Sequence, residues 1–319
     1  VGHAPAGVMW ESGFHMRVID ICNALGWLLA CTLSAAAMPL SGEDIARQVD
    51  YVNRFDAVRN IIYGDRESRV VVLNRAANGR MRFNTFERWR RNDYPEDDAI
   101  AARDLVVFRS GKLRGTGILV TDYSDPEQDR AYAIWLPSLR KVRRFSEPDP
   151  SESWGGSNLS YGDIYIRRPG DEVHELLGRE TFDECLGTVQ LAEGQGDRYT
   201  SGLPAGDCEA RGRPVYRLRS RPHRSDLGYD ERLIWVDTET FADYRSVYYR
   251  AGEVVKRIDK SWRSMGLEDP RAQYWVYWYA RTEGSGQEGM AYVAPDSVRW
   301  DEDMDPELWS ERTLRRIRQ

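Results

Sequence analysis

The amino-acid sequence predicts a mainly β fold with a few helices. From about residue 69 onward, short runs rich in β-branched and aromatic residues recur, with turn residues between them at roughly even spacing. That pattern is typical of an antiparallel meander. Helical patterns do not alternate with these runs, which argues against a doubly wound α/β fold. The chain also holds 11 Trp and 17 Tyr against 8 Phe, and such residues suit strands as well as ligand cavities and interfaces.

The first predicted element of the mature chain is an amphipathic helix. Ser41 can cap it, Glu43 and Asp44 suit its positive end, and apolar residues from Ile45 to Phe55 keep helical spacing. Two β runs follow around the dipeptide at 78–79, Asn-Gly, which is a strong hairpin signal.

Further β runs and two helices complete the predicted order. The β runs are 104–123, 131–145, 162–168, 214–221, 232–250 and 272–283. The helices are predicted around 174–187 and 306–318, and the Gly-rich stretch 193–208 is predicted to be a loop. Because no linker or internal repeat divides the chain, residues 38–319 are predicted to form a single domain.

Residues 1–37 are predicted to comprise upstream residues and a secretory signal peptide. A short positive region at Met16 and Arg17 precedes an uncharged apolar stretch, 21–33, and three alanines at 35–37 offer a cleavage site. A buried N-terminal helix is the alternative. A second exported alternative is lipid attachment at Cys31, since residues 28–31, Leu-Leu-Ala-Cys, resemble a lipobox.

Cysteine usage agrees with export to the periplasm. Removing residues 1–37 leaves Cys185 and Cys208, an even pair in an oxidising compartment. We therefore expect a disulfide between them, with two unpaired thiols as the alternative. Neither belongs to a C-x-x-C pair, so redox catalysis and structural zinc lack their motif.

The sequence carries no recognisable catalytic, metal or cofactor motif. The mature chain offers His174 and His223 as bases, but neither lies near a G-x-S-x-G elbow, and His174 lacks the second His of a zinc-protease helix. The net charge of -6 argues against nucleic-acid binding. We therefore predict a binding protein without cofactor or metal, not an enzyme.

A local basic run stands out against this acidic total. Arg140, Lys141, Arg143 and Arg144 lie within ten residues. On a strand, Lys141 and Arg143 share one face, and Arg140 and Arg144 share the other. The run is either a solvated strand edge or a contact for anionic head groups or an acidic partner.

Four blocks in order resemble a known family. Residues 113–120, 134–145, 154–164 and 235–258 are similar to the outer-membrane lipoprotein-sorting protein family, LolA-like periplasmic proteins often associated with RND/MMPL-type transporters. The sequence departs from the family where Trp154, Asn158, Leu159 and Gly162 replace Phe, Asp, Phe and Glu.

The resemblance implies a LolA/LolB-like curved antiparallel sheet that forms an incomplete barrel closed by helices. It also implies an apolar cavity for lipid or lipoprotein acyl chains, which need no catalytic group because each buried methylene contributes about 0.8 kcal/mol. The predicted function is a periplasmic carrier serving an envelope transport system with an RND/MMPL-type inner-membrane transporter. A non-carrier module that docks on an envelope assembly is the alternative, and an envelope hydrolase is a distant third.

The candidate cavity lining combines strand parity with the loop at 154–161. Trp154, Leu159 and Tyr161 either contact cargo or plug the end of the barrel. The full set of candidate lining residues is Leu119, Ile134, Leu136, Trp154, Leu159, Tyr161, Ile164, Ile166 and Trp235.

Overall fold

Most of the chain pairs with itself in antiparallel fashion, because short turns return each strand beside its predecessor. The computed structural model describes residues 40–154, 157–164, 168–195, 198–225 and 227–317. Within these residues, fifteen strands join into one antiparallel sheet that does not close into a barrel. The predicted mainly β fold with few helices is confirmed.

The elements have the following bounds. The first strands are β1 (Asn60–Tyr63), β2 (Val70–Arg75), β3 (Met81–Arg91), β4 (Ile100–Phe108), β5 (Gly117–Tyr123), β6 (Ala131–Leu136) and β7 (Lys141–Phe145). The remaining strands are β8 (Glu172–Thr181), β9 (Pro214–Pro222), β10 (Glu231–Asp237), β11 (Asp243–Arg250), β12 (Glu253–Ser264), β13 (Gln273–Thr282), β14 (Gln287–Tyr292) and β15 (Val298–Trp300). The α-helices are α1 (Gly42–Arg54), α2 (Tyr161–Ile164) and α3 (Glu311–Arg316). No helix in the described ranges is long and apolar enough to cross a membrane.

Two meanders make up the sheet. Its order is β7-β6-β5-β4-β3-β2-β14-β13-β12-β11-β10-β9-β8, and β1 pairs with both β3 and β15. The pairing of β2 with β14 joins the early meander to the late one. β7 and β8 lie at the two ends of this strand order.

The two faces of the sheet have different covers, because successive side chains of a strand point to opposite faces. One face, which we call the helix face, is covered by α1 and carries Lys260, whose Nζ donates to Asn53 Oδ1 of α1 at 3.0 Å. The opposite face, which we call the loop face, carries Asp259, whose Oδ2 accepts from the amide of Gly187 at 2.7 Å. Gly187 belongs to the long connection between β8 and β9, which we call the β8–β9 loop.

The terminal helices follow the predicted patterns. Ser41 caps α1 and forms a capping box with Asp44, while Ile45 is fully buried on the sheet. At the other end of the chain, Trp309 and Leu314 of the C-terminal segment pack against Leu105 on the loop face. The C-terminal helix, predicted for 306–318, is present as a 3-10 turn followed by α3.

The helix predicted around 174–187 is wrong, because residues 172–181 form the outer strand β8. Burial alternates with a period of two over residues 172–175, where the buried positions are Glu172 and His174. These polar residues are satisfied by Arg232 of β10 and by Ser220 of β9, the strand that pairs with β8. Since the inward positions are polar, the strand periodicity is invisible in the hydrophobic pattern.

The strand predicted for 162–168 is also wrong in its described part, where residues 161–164 form the short helix α2. The Asp163 carboxylate accepts from the amide and the hydroxyl of Ser160, both at 2.8 Å, and Ile164 N donates to Ser160 O at 3.2 Å. This helix-start signal outweighs the β alternation of the sequence. Residues 165–167 lie outside the described ranges.

A disulfide closes the β8–β9 loop. Cys185 and Cys208 are bonded, with their Cα atoms 4.3 Å apart. Beneath it, the guanidinium of Arg245 pairs with the buried carboxylate of Asp259 at 2.7 Å and donates to the carbonyl of Cys185 at 3.0 Å. The loop is therefore held on the sheet by covalent and ionic contacts together.

Candidate ligand-binding site on the helix face

The segment that contains Trp154 packs on the helix face between β3, β4 and α2. We call the described residues 150–154 and 157–164 the plug segment. The Trp154 indole is 3% exposed, and its ring centroid lies 5.6 Å from that of Phe86 and 5.7 Å from that of Phe108. Its Nε1 is buried without a hydrogen-bond partner among the described residues. Among the described residues, the Trp154 side chain is thus held by packing contacts and not by a hydrogen bond.

The rest of the plug segment is fastened at a few points. The Asn158 side chain donates to the carbonyl of Ala280 at 3.0 Å. Leu159 is almost fully buried against side chains of β11 and β12. The carboxylate of Asp163 accepts from Lys256 and from the hydroxyl of Tyr248, the latter at 3.2 Å. These contacts anchor the end of the segment, while the Trp154 end rests on apolar surface.

The space left beneath α1 and beside Ile164 is small, although a pocket of about 570 Å³ with mainly charged and polar lining opens between Pro150, Arg130 and Arg168. One pocket of about 40 Å³ lies between α1 and the sheet, and another of about 20 Å³ lies beside Ile164. Sites for small molecules measure about 300–1,000 Å³. In the part of the chain that the structure describes, packed side chains therefore occupy the place of the open apolar cavity that the resemblance implies.

The pocket between α1 and the sheet is lined by charged groups. Lys260 Nζ donates to Asp243 Oδ2 at 2.6 Å and lies 4.2 Å from the ring centroid of Trp278. Burial lowers the pKa of Lys260, although Asp243 opposes that shift. Burial also raises the pKa of Asp50, on α1, to about 6, against the opposing effect of Arg54. This half of the face is therefore suited to polar groups and the Trp154 half to apolar ones.

His174 lies beside a serine but does not form a catalytic arrangement. Its Nδ1 lies 2.7 Å from Ser220 Oγ, and its Nε2 lies 3.0 Å from the carbonyl oxygen of Pro169. A carbonyl only accepts, so Nε2 carries the proton and Nδ1 accepts from the serine. Burial lowers the pKa of His174, and Ser220 is fully buried, so a substrate cannot reach this pair. His223 is exposed.

The structure brings together some of the candidate lining residues and separates others. Trp154, Tyr161 and Ile164 pack on one apolar cluster with Ile134 of β6, and half-buried Leu136 follows Ile134 with the same parity. Leu159 lies in the adjoining cluster, which Ile164 also contacts.

Two candidates lie across the sheet from this group. Leu119 packs against Trp309 on the loop face. Trp235 also lies on the loop face and donates its indole N–H to Glu180 at 2.6 Å. They do not share a site with Trp154. Ile166 lies outside the described residues.

The basic run forms the turn before β7 and most of β7 itself. Arg140, Lys141 and Arg143 are exposed, and Arg144 pairs with Glu311 of α3 through Nη2 and Oε2 at 2.7 Å. That pairing raises the pKa of Arg144. Because β7 is an outer strand paired with β6 alone, its basic side chains face solvent.

The sequence and the fold were compared with known proteins. A family model, described as that of an uncharacterized protein, matches residues 101–316. No curated protein matches the chain significantly.

Solved structures share the fold at low sequence identity. A DUF1329 family protein from Desulfovibrio piger superposes with a TM-score of 0.61 at 20% identity, covering 86% of this chain and 97% of that one. A putative outer membrane lipoprotein-sorting protein domain from Vibrio parahaemolyticus gives 0.63 at 15% identity, covering 86% and 98%. A LolA superfamily protein from Nitrosomonas europaea gives 0.52 at 15% identity, covering 86% and 100%. The recognised resemblance is therefore confirmed at the level of the fold.

Proposed function

The chain belongs to the family of uncharacterized proteins whose model matches residues 101–316, and from its LolA-like fold we propose that it is a periplasmic carrier for acyl chains of lipids or lipoproteins. The names of two similar structures, a lipoprotein-sorting domain and a LolA superfamily protein, support a carrier role. We further propose that it serves an RND/MMPL-type transporter, which rests on the sequence resemblance alone.

The observation that carries the proposal is the packing of the Trp154 side chain on the helix face. A loop, rather than the sheet itself, supplies the indole that fills the apolar space over Phe86 and Phe108. The buried Nε1 has no hydrogen-bond partner among the described residues, and such a group costs about 1–3 kcal/mol. Releasing Trp154 to water would recover that cost, so the loop is suited to give way to a ligand.

The energies favour exchange of the plug for an acyl chain. Withdrawing a large apolar side chain from the core costs about 3 kcal/mol, whereas each methylene that replaces it contributes about 0.8 kcal/mol. About four methylenes therefore offset the loss of Trp154. An acyl chain offers more than that, and the excess would supply the affinity.

A fluorescent fatty-acid probe tests the proposal. The parent should bind the probe, and Trp154→Ala should bind it about tenfold more tightly, because the competing side chain is gone. Trp135→Ala, the same deletion under the C-terminal segment on the loop face, is the matched control and should bind like the parent. Trp154→Phe keeps an aromatic ring in place and is the second variant to measure if Trp154→Ala does not fold.

Two results would contradict the carrier proposal. One is a parent and a folded Trp154 variant that both fail to bind the probe. The other is an equal gain in the Trp135 control, since the effect would then reflect loss of packing in general.

A non-carrier docking module is the second candidate function. Its support is the filled helix face, together with two exposed apolar residues, Leu139 (50%) in the turn before the basic strand β7 and Phe145 (40%) at the end of that strand. Absence of probe binding, combined with retention on vesicles or on a membrane partner that Arg143→Glu abolishes, would favour this candidate over the carrier.

A further inference from the structure

A cleft of about 740 Å³ opens on the loop face, across the sheet from the plug segment. Its floor includes Val71 of β2 and Thr85 of β3, which are paired neighbours in the sheet. The β1–β2 turn, the β4–β5 turn and the β8–β9 loop form its walls. The cleft is therefore separate from the proposed acyl site.

The charge of this cleft is opposite to that of the chain. Its arginines are Arg66, Arg69, Arg109, Arg114 and Arg198. The acidic groups at the cleft are Glu67 in the wall and Glu87 beneath Arg69 and Arg109. Five cations against these two carboxylates, and a third at Asp65 behind the β1–β2 turn, still leave an excess of positive charge in a chain whose net charge is -6. An anion would be attracted to this cleft rather than to the surface in general.

Tight turns hold these arginines in place. The Asp65 carboxylate accepts from the amides of Glu67 and Ser68, at 2.8 and 2.7 Å, and these bonds lower its pKa. Asp65 therefore fixes the turn that carries Arg66. In the β4–β5 turn, Gly111 has φ +67°, and a Cβ there would come within 2.1 Å of the Asn84 side chain. A larger residue could not bring this turn so close to β3.

The arginines differ in whether they are already paired. Arg69 and Arg109 share the buried carboxylate of Glu87, at 3.2 and 2.6 Å, so one carboxylate neutralises two guanidinium groups only in part. Arg66 and Arg114 are exposed and have no acidic partner in the described ranges. Arg198 lies over the ring of Tyr199, with its Cζ 4.6 Å from the centroid. The five arginines thus line the cleft from three segments, and Arg66 and Arg114 are left without a carboxylate partner among the described residues.

We propose that this cleft binds a phosphate-bearing ligand, with Arg66 and Arg114 as its principal contacts. Guanidinium groups donate parallel hydrogen bonds to phosphate oxygens. A cleft with several guanidinium groups therefore suits a phosphate ligand, with three oxygens and a double charge, better than a ligand with a single carboxylate. The phosphate could come from a phospholipid head group or from a small soluble phosphate. This site is additional to the proposed carrier function and does not depend on it.

Calorimetry with inorganic pyrophosphate and flotation with vesicles test the site. Two vesicle compositions are needed, phosphatidylglycerol mixed with phosphatidylcholine and phosphatidylcholine alone. Whichever probe the parent binds, pyrophosphate or phosphatidylglycerol vesicles, the double variant Arg66→Gln, Arg114→Gln should bind it about tenfold more weakly or worse. The control Arg211→Gln, Arg250→Gln removes the same charge from two exposed positions outside the cleft and should bind like the parent.

Each outcome decides the matter. Pyrophosphate binding that the cleft variant loses supports a soluble phosphate. Flotation with phosphatidylglycerol vesicles that the cleft variant loses supports a head group. The proposal is overturned if the parent binds neither probe, or if the cleft variant and the Arg211, Arg250 control lose binding equally.

Discussion

Removing the carboxylate of Asp243 should destabilise the protein strongly, because it leaves a buried ammonium without its partner. Lys260 and Asp243 are only 7% and 4% exposed, and their Nζ and Oδ2 atoms are 2.6 Å apart. Asn53 of α1 completes the cluster, with its Oδ1 3.0 Å from the same Nζ. Breaking such a pair on one side costs about 3–5 kcal/mol.

Replacing both partners should cost much less than the two single changes together. In Asp243→Ala the uncompensated charge remains, in a buried setting that already lowers the pKa of Lys260. The double variant Asp243→Ala, Lys260→Met removes the charge as well. We therefore expect a coupling free energy of about 2 kcal/mol or more in the double-mutant cycle.

Urea unfolding of the parent, the two single variants and the double variant measures this coupling. The exposed pair Arg281–Glu283, with side chains 47% and 37% exposed, supplies the control. Glu283→Ala should change the free energy of unfolding by no more than about 1 kcal/mol. The reasoning is refuted if Asp243→Ala costs no more than this control, or if the double variant costs the sum of the single ones.

Three further predictions follow from burial, the disulfide and the N-terminal pattern. Burial raises the pKa of Asp50 to about 6, so the native state favours the protonated carboxyl and becomes less stable as the pH rises from about 4 to 6. Asp50→Asn should therefore raise the free energy of unfolding by up to about 3 kcal/mol at pH 7.5 and hardly change it at pH 3.5. Equal gains at both pH values would contradict this reasoning. Replacing Cys185 and Cys208 by Ser should lower the free energy of unfolding by about 3 kcal/mol in urea titrations, whereas two alkylatable thiols in the native oxidised protein would show that the bond is absent. The exported protein should begin near Met38 on N-terminal sequencing, and a cytosolic pool with residues 16–37 intact would argue against a cleaved signal peptide.

Local signals were sufficient for much of the fold. The Asn-Gly dipeptide at 78–79 lies between β2 and β3 as predicted, and Ser41 with Asp44 begins α1. Residues 172–181 were mispredicted because Glu172 and His174 point inward and are satisfied only by partners on other strands. A hydrophobic pattern cannot register a strand whose buried positions are polar.

The candidate site was accessible to sequence reasoning only in part. Trp154 stood out through its loop composition and the resemblance, but the partners of its ring, Phe86 and Phe108, come from strands distant in the chain. The basic cleft gave no signal at all, since its arginines lie on three separate segments, around 66–69, 109–114 and 198. By contrast the contiguous basic run at 140–144 was conspicuous, and it forms an outer edge of the sheet.

Native mass spectrometry of the protein purified from the periplasm tests the carrier proposal most directly. If the protein carries acyl chains, part of the population should retain a bound lipid, and mild removal of that lipid should return the mass of the chain alone. Trp154→Ala should retain more lipid than the parent, and Trp135→Ala should match the parent. Parent and Trp154→Ala proteins that are both free of lipid, and that stay free after incubation with acyl lipids, would contradict the proposal.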